Sequence, residues 1–498
     1  MSLDATLVIP SIGRPSLLRL LAALRADTGP RPAQIIVVDD RVGLGDPLAP
    51  EFPVTVLASG GRGPAAARNT GWRASRTRWV CFLDDDVIPQ PGWLQALGED
   101  LTAAEKAGAA GSQGALDVPD PGSDRRASDD EHRTLRLSEA RWITADMSYR
   151  RDVLVSVGGF DHRFPRAYRE DSDIALRITA AGHRILTGRR RCLHPVAPAT
   201  WWTPVRVQVG NRDNALMRRK FGRDWRARIG EGPGRMPAHS AATAAGLGAL
   251  LGAVLRRRRI ATAATLLWGL LTTEFTIRRF LSGSRTAAEL GRILFSSMAI
   301  PPAAVKHRLI GEWQHRRATA EPALAVLLDR DDTIIEDGPY LNDPAGVVPM
   351  PGARPALDRL RRHGVLLAVT TNQSGVARGL ISPGQLVAVN AEVEEQLGAF
   401  DSWQMCVHSE DDGCDCRKPE PGMVTAAAAD LAVPPHRCVL IGDTGGDVTA
   451  ALAAGARAIL VPTERTRAEE IAMARSHPRV EVAGSLPAAV AMVLGGRR

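Results

Sequence analysis

The sequence predicts an α/β protein made of two separate strand-helix units with a helical segment between them. Three observations carry that expectation. From Ala5, apolar runs that end in polar or acidic residues alternate with helical stretches: ATLVIP, LLRLLAALRA, QIIVVDD, VTVLAS and WVCFLDDD. Such alternation points to a parallel sheet with its functional groups at the carboxyl ends of the strands. The pattern stops at EGPGRMP and resumes after EPALAVLLDRDD as ALAVLL, VLLAVTTN, CVLIGDTGGD and AILVPT. At 498 residues the chain is also too long for one ordinary core. The expected domains are 1–232, 233–320 and 321–498.

Composition narrows the class. Hydrophobic residues at 44% and charged residues at 24% describe a folded, soluble protein. The opening MSLDATLVIP has an acid at Asp4 and no basic stretch, so no signal peptide is expected. Six cysteines without a regular framework suit a reduced, cytoplasmic chain whose cysteine cluster binds metal. The net charge is +8, but thirteen Arg and Lys stand against three Glu between Pro233 and Ala320. That surplus lies away from both groups of catalytic motifs, and no aromatics interleave with basic residues near them. A nucleic-acid partner is therefore not expected.

The middle segment reads AATAAGLGALLGAVL (241–255), four arginines (256–259), then IATAATLLWGLLTT (260–273). These uncharged runs of 15 and 14 residues fall short of the ~18 to 20 needed to span a bilayer. The expectation is a buried helical hairpin with a basic turn. Peripheral contact with an anionic membrane, through Arg278, Arg279, Lys306 and Arg308, is the alternative.

In the first unit the ordered motifs are VVDD (37–40), GPAAARNTGW (63–72), CFLDDD (81–86), VGGFD (157–161) and YREDSDIALR (168–177). Acids at a strand end can hold a divalent ion against a diphosphate. Glu170 and Asp171 open a helical pattern, where one carboxylate could take a proton from an acceptor hydroxyl. Over Ala5–Pro195 this order resembles the inverting family 2 glycosyltransferases of the GT-A, Rossmann-like fold. The resemblance implies a nucleotide-sugar donor and a glycan or lipid-linked acceptor. It assigns Asp39 or Asp40 to the nucleotide base, Asp84 and Asp86 to the sugar-nucleotide and metal site, Glu170 to substrate and Asp171 to the base. His194 is then a metal ligand beside Asp86, with Mn²⁺ or Mg²⁺. Arg41 and Val42 stand where the family usually has small residues.

In the last unit, Asp329 and Asp331 end one strand-like run in DRDDT, Thr371 and Asn372 end another, Lys418 follows in RKP, and Asp443 and Asp447 lie in GDTGGD. A carboxylate that attacks phosphorus needs its charge offset by a metal and an ammonium, and a second carboxyl must protonate the leaving oxygen. DRDDT, VTTNQSG, RKP and GDTGGD together resemble the haloacid dehalogenase (HAD) superfamily of phosphatases. The resemblance makes Asp329 the nucleophile and Asp331 the general acid and base. Thr371, Asn372, Arg417 and Lys418 become the phosphate and substrate contacts. Mg²⁺ is expected at Asp329, the carbonyl of Asp331, and Asp443, with Asp447 beside it. Asp332 stands where this branch usually has glycine. Cys406, His408, Cys414 and Cys416 form C-x-H-x5-C-x-C, a ligand set suited to a closed zinc site. The set resembles the zinc loop of the branch that contains heptose-bisphosphate and bacterial histidinol phosphatases. No long insertion follows Asp331 or Thr371, so a HAD-like domain without a large cap, acting on a small sugar phosphate, is expected. The combined expectation is a bifunctional cytoplasmic enzyme. The alternatives are histidinol-phosphate or polynucleotide 3′-phosphatase activity, or one domain serving only as a binding module.

Overall fold

The computed structural model describes residues 2–43, 48, 52–119, 126–196, 199–336, 338 and 340–495. The chain divides into two compact units, one formed by Met1–Val153 and Phe164–Ala318, the other by Leu154–Arg163 and Thr319–Arg498. The helical segment expected as a separate connector over 233–320 thus falls almost wholly within the first unit.

The first unit is built on strands β1 (Ser2–Ser11), β2 (Arg31–Asp39), β3 (Thr55–Ala58), β4 (Trp79–Leu83), β5 (Ile88–Pro89), β6 (Gly111–Asp117), β7 (Asp146–Arg150) and β8 (Ile185–Leu193). They form one sheet in the order β3-β2-β1-β4-β7-β6-β8-β5. The pairs β1–β2, β1–β4 and β2–β3 are parallel. Ala5, Leu7, Val8 and Ile9 of β1 and all of β4 are buried, as a central strand covered on both faces requires. The sheet is not parallel throughout, which corrects the sequence expectation. β7 runs antiparallel between β4 and β6, and β5 runs antiparallel to β8. In DMSYR only Met147 and Tyr149 are apolar in alternation, so β7 gives no continuous apolar run to read.

Beyond this sheet come helices Met236–Val254, Arg258–Ser282 and Ala287–Gln314. The first two pack against each other as a hairpin closed at its base by Arg235 and Glu274. Near the tip a Cβ on Gly252 would lie 2.8 Å from the Ala261 nitrogen, so only glycine permits that approach. Arg279 donates to Asp129, Ser296 and Ser297, and Arg292 to Glu289 and Asp130, tying the second and third helices to the helix Asp129–Leu135. The hairpin forms around its basic turn as expected, but it is not buried. Leu247, Leu250, Val254, Leu266 and Leu270 are all exposed.

The second unit has an all-parallel sheet of β9 (Ala325–Leu328), β10 (Leu366–Asn372), β11 (Ser402–Cys406), β12 (Cys438–Gly442), β13 (Arg457–Leu460) and β14 (Val480–Val482), in the order β11-β10-β9-β12-β13-β14. Val326 and Leu328 face one apolar layer with Leu357, Val369, Val393 and Ile441. Ala325 and Leu327 face the other, with Val424, Leu440 and Val448. The chain leaves β9 toward β10 on one side, and β12 lies on the other. The crevice at their carboxyl ends is where such a sheet places its ligands.

Candidate active sites

Asp329 follows the last residue of β9, and its N–H is held by the Ile441 carbonyl of β12 at 2.9 Å. Lys418 is buried beside it. Its Nζ donates to Asp329 Oδ1 at 2.6 Å, Asp447 Oδ1 at 2.6 Å and the Thr370 carbonyl at 2.8 Å. Burial works against charge on the lysine, but the two carboxylates outweigh it and hold its pKa above the usual value. Burial likewise raises the Asp329 carboxyl well above the usual range. Lys418 opposes this shift, while Asp447 and Asp331 add to it.

Oxygen atoms of Asp329, Asp443 and Asp447 lie within 4.8 Å of one another. Burial and the neighbouring Asp447 push Asp443 up to about 7. Three carboxylates so placed, with a single ammonium among them, suit a hard divalent cation bound through oxygen. The Asp331 side chain lies outside this group. It accepts from Arg330 Nε at 3.0 Å and from Gln373 Nε2 at 2.8 Å, and Gln373 also donates to Thr371 Oγ1. Arg330, buried, braces the same carboxylate while donating to Asn390. Sequence reading quoted both Arg330 and Gln373 within the motifs but gave neither a role.

Asp329, Asp331, Thr371, Asn372, Lys418 and Asp443 line one cleft of about 410 Å³, with Tyr340 and Arg465 also in its wall. Two expected contacts sit differently from the rest. Asn372 exchanges hydrogen bonds with the main chain of Lys418, 3.1 Å each way, and so fixes the lysine. Arg417 pairs with Glu410 of the cysteine loop at 3.0 Å and is not in the cleft wall. Asp332 adopts φ 53°, the left-handed conformation that favours glycine, and its carboxylate meets Arg465 at 3.4 Å.

The loop ligands converge. Cys406 Sγ lies 3.5 Å from His408 Nδ1 and 3.6 Å from Cys414 Sγ, while Cys416 Sγ lies 3.2 Å from His408 Nδ1 and 3.4 Å from Cys414 Sγ. These separations approach the edges of a tetrahedron drawn around one ion with metal–sulfur bonds of about 2.3 Å. Although burial opposes it, the main-chain N–H groups of Arg417 and Cys416 and the adjacent thiols bring Cys414 down to about 7, toward the thiolate a metal requires.

In the first unit the acids sort into supporting and open groups. Asp39 is gripped by the Arg41 guanidinium, which lowers its pKa. Asp40, buried, accepts from Ser59 Oγ and the Gly63 N–H, and so fixes the turn before the helix Pro64–Ala74. Asp85, between the two assigned acids, accepts from Ser11 and Arg14. Asp86 Oδ1 lies 3.9 Å from His194 Nε2. His194 Nδ1 donates to the Pro195 carbonyl at 3.0 Å, which leaves Nε2 as the ring nitrogen turned toward Asp86. This carboxylate–imidazole pair suits a divalent ion.

The group that sequence reading missed here is Arg68, from the quoted GPAAARNTGW. Fully buried, it donates to Asp84 Oδ1 at 2.6 Å and to Glu170 Oε1 at 2.9 Å. Burial and the adjacent Asp171 push Glu170 up to about 8, against the pull of Arg68. Burial also raises Asp171, whose Oδ1 accepts from the Ser172 N–H at 2.6 Å and whose Oδ2 has no partner among the described residues. A carboxyl with raised affinity for protons and one free oxygen is equipped to act as a base.

Family models match sequence in both parts of the chain. The glycosyl transferase family 2 model matches residues 6–175, and the HAD-hydrolase-like model matches 415–489. The chain is 42% identical over 149 residues to the D-glycero-beta-D-manno-heptose-1,7-bisphosphate 7-phosphatase of Pseudomonas putida, covering 28% of this chain and 85% of that one. It is 38% identical over 143 residues to the protein of that name from Pseudomonas aeruginosa, covering 28% and 80%. Among solved structures, D,D-heptose 1,7-bisphosphate phosphatase from B. bronchiseptica, complexed with magnesium and phosphate, is 32% identical with a TM-score of 0.32, covering 34% of this chain and 97% of that one. The chain therefore belongs, through its C-terminal unit, to the HAD-like phosphatases, and carries a family 2 glycosyltransferase domain ahead of it.

Proposed function

We propose that the C-terminal unit hydrolyses a small sugar phosphate of the D-glycero-D-manno-heptose 1,7-bisphosphate type. The observation that carries this is the buried Lys418 joining Asp329 to Asp447 beside Asp443, with Asp331 braced separately by Arg330 and Gln373. An oxygen of Asp329 attacks phosphorus, and the ester oxygen leaves with the proton of Asp331. Asp331 then takes a proton from water as that water attacks the aspartyl-phosphate, releasing phosphate and restoring Asp329. Lys418 and Thr371 hold the phosphoryl oxygens through both halves. Mg²⁺, held by Asp329, Asp443 and the Asp331 carbonyl, supplies positive charge against the phosphoryl oxygens when bound. Zinc at Cys406, His408, Cys414 and Cys416 would be structural, pinning the loop that delivers Lys418. The relatives' activity supports this substrate class. The test is Mg²⁺-dependent phosphate release from the heptose bisphosphate, histidinol phosphate and a 3′-phosphorylated oligonucleotide. Preference for the first is expected; no release from it, or preference for the oligonucleotide, overturns the reading.

The N-terminal unit, in the same proposal, transfers a sugar from a nucleotide donor to a glycan or lipid-linked acceptor. Asp86 and His194 would hold Mn²⁺ or Mg²⁺, Asp84 would face the donor, and Asp171 would accept the proton of the attacking hydroxyl. Six cysteines without a disulfide among them fit a reducing cytoplasm. Release of nucleotide from a panel of nucleotide sugars checks the transferase; a chain inert toward all of them would leave this unit a binding module.

A further inference from the structure

The hairpin Met236–Val254 and Arg258–Ser282 presents an apolar surface that nothing among the described residues of its own unit covers. On the first helix Ala244, Leu247, Leu251 and Val254 are exposed at helical spacing, Val254 at 78%. On the second, Leu266, Leu270, Thr273, Ile277 and Leu281 make one exposed stripe, with Leu266 at 69% and Leu270 at 68%. Side chains of this size in so continuous an array mark an interaction surface. Among the described residues, Arg258–Ser282 is the one helix long and apolar enough to cross a bilayer, and only 11% of its apolar window is buried. This corrects the expectation that both apolar runs are too short, because the helix continues past Glu274 to Ser282.

Charge identifies the occupant. Arg256, Arg257, Arg258 and Arg259 are exposed at the tip, directly beside the leucines, and none has an ion-pair partner among the described residues. We infer that the hairpin lies on the surface of an anionic phospholipid bilayer, its leucines in the acyl boundary and its arginines at the phosphates. A second copy is disfavoured by the same charges. Tip against tip would bring eight guanidinium groups together, and tip against base would set four against a rim where Arg235 and Arg278 outnumber Glu274. Crossing is disfavoured as well, since four arginines would have to pass through hydrocarbon to the far side. This inference does not depend on either catalytic assignment.

The test uses the full chain and vesicles of phosphatidylcholine alone or mixed with phosphatidylglycerol, scored by co-sedimentation. Binding to the mixed vesicles, weakened by salt, is expected. R256Q/R257Q/R258Q/R259Q should lower it about 10²- to 10³-fold, at roughly one surface attraction per arginine. L266E/L270E should lose binding at every salt concentration. A helical circular-dichroism signal and a thermal unfolding midpoint unchanged in both variants show that they fold. Equal affinity for neutral vesicles, or no binding to either kind, overturns the inference. So does a concentration-dependent dimer abolished by L266E/L270E, which would assign the surface to a second copy. Resistance of the membrane-bound chain to alkaline carbonate extraction would mean a spanning hairpin and also overturn it.

Discussion

Replacing Arg68 with methionine removes a buried cation that holds two carboxylates, Asp84 at 2.6 Å and Glu170 at 2.9 Å, and should damage the transferase unit in two separable ways. Breaking a buried ion pair from one side costs about 3–5 kcal/mol, because a charge is left without its partner. For a unit of this size that lowers the unfolding midpoint by roughly 10 °C. Glu170 can relieve part of the cost by taking a proton, since burial already raises it to about 8 and Arg68 is a force that lowers it. Among the described residues no other cation pairs with Asp84, so it should drift from its position at the end of β4 and weaken donor binding. The double variant R68M/E170Q tests the division. Its neutral amide at position 170 removes one stranded charge, so stability should largely return while donor affinity stays low. The assays are thermal unfolding and calorimetric titration with a donor nucleotide and Mn²⁺. If R68M binds donor and melts like the parent chain, or if R68M/E170Q regains both properties together, Arg68 does not position Asp84.

The remaining predictions concern single groups. Asp329→Asn should remove Mg²⁺-dependent phosphate release by several orders of magnitude while sugar-nucleotide binding persists, and unchanged turnover would refute Asp329 as nucleophile. Elemental analysis should find about one zinc per chain, and Cys414→Ser should lose it together with much of the phosphatase activity; active protein without zinc removes the metal from the account. Asp86→Ala should weaken metal-dependent donor binding, whereas Asp171→Ala should spare it and lower turnover ~10²- to 10⁴-fold; the reverse pattern exchanges their roles. Glu170 has a folded-state pKa of about 8 against an unfolded value near 4.5, so the folded unit binds more protons in that window. Its contribution to stability therefore falls as pH rises from about 4.5 to 8, and Glu170→Gln should flatten that slope in melts recorded across the window.

What the sequence made legible follows from what periodicity can carry. Asp329, Asp443 and Asp84 end apolar runs, which is where a strand's carboxyl end is expected, and each is there. The cysteine loop was legible for a different reason, since its four ligands lie within eleven positions and local chain geometry brings them together. Arg68, Arg330 and Gln373 were not, because their work depends on partners 102, 60 and 42 residues away, a proximity that only the folded sheet creates. The hairpin shows the opposite failure. Leu247 and Leu266 read the same whether a helix is buried in protein or exposed, because apolar composition reports a preference for leaving water and not what satisfies it.

The two sites also differ in how their buried cation can be used, and the difference lies in donor number. Lys418 has three N–H donors, and Asp329, Asp447 and the Thr370 carbonyl take all three. Asp447 is itself locked, its Oδ2 accepting from the Thr444 N–H at 3.1 Å and hydroxyl at 2.6 Å, and Gly442 has no Cβ because one would lie 2.4 Å from the Asp447 carboxyl carbon. The ammonium thus cannot retreat from Asp329, and an arriving phosphoryl oxygen must share a donor already committed. In the proposed mechanism the Asp329 oxygen bonds to phosphorus and its negative charge passes to the phosphoryl group, and the Lys418 proton facing it would follow that charge without the lysine moving. Asp447 acts in this arrangement as the fixed anchor of the lysine, and Asp443, which is raised to about 7 with no comparable hydrogen-bond support from side chains among the described residues, is left as the carboxylate with most to gain from a divalent cation.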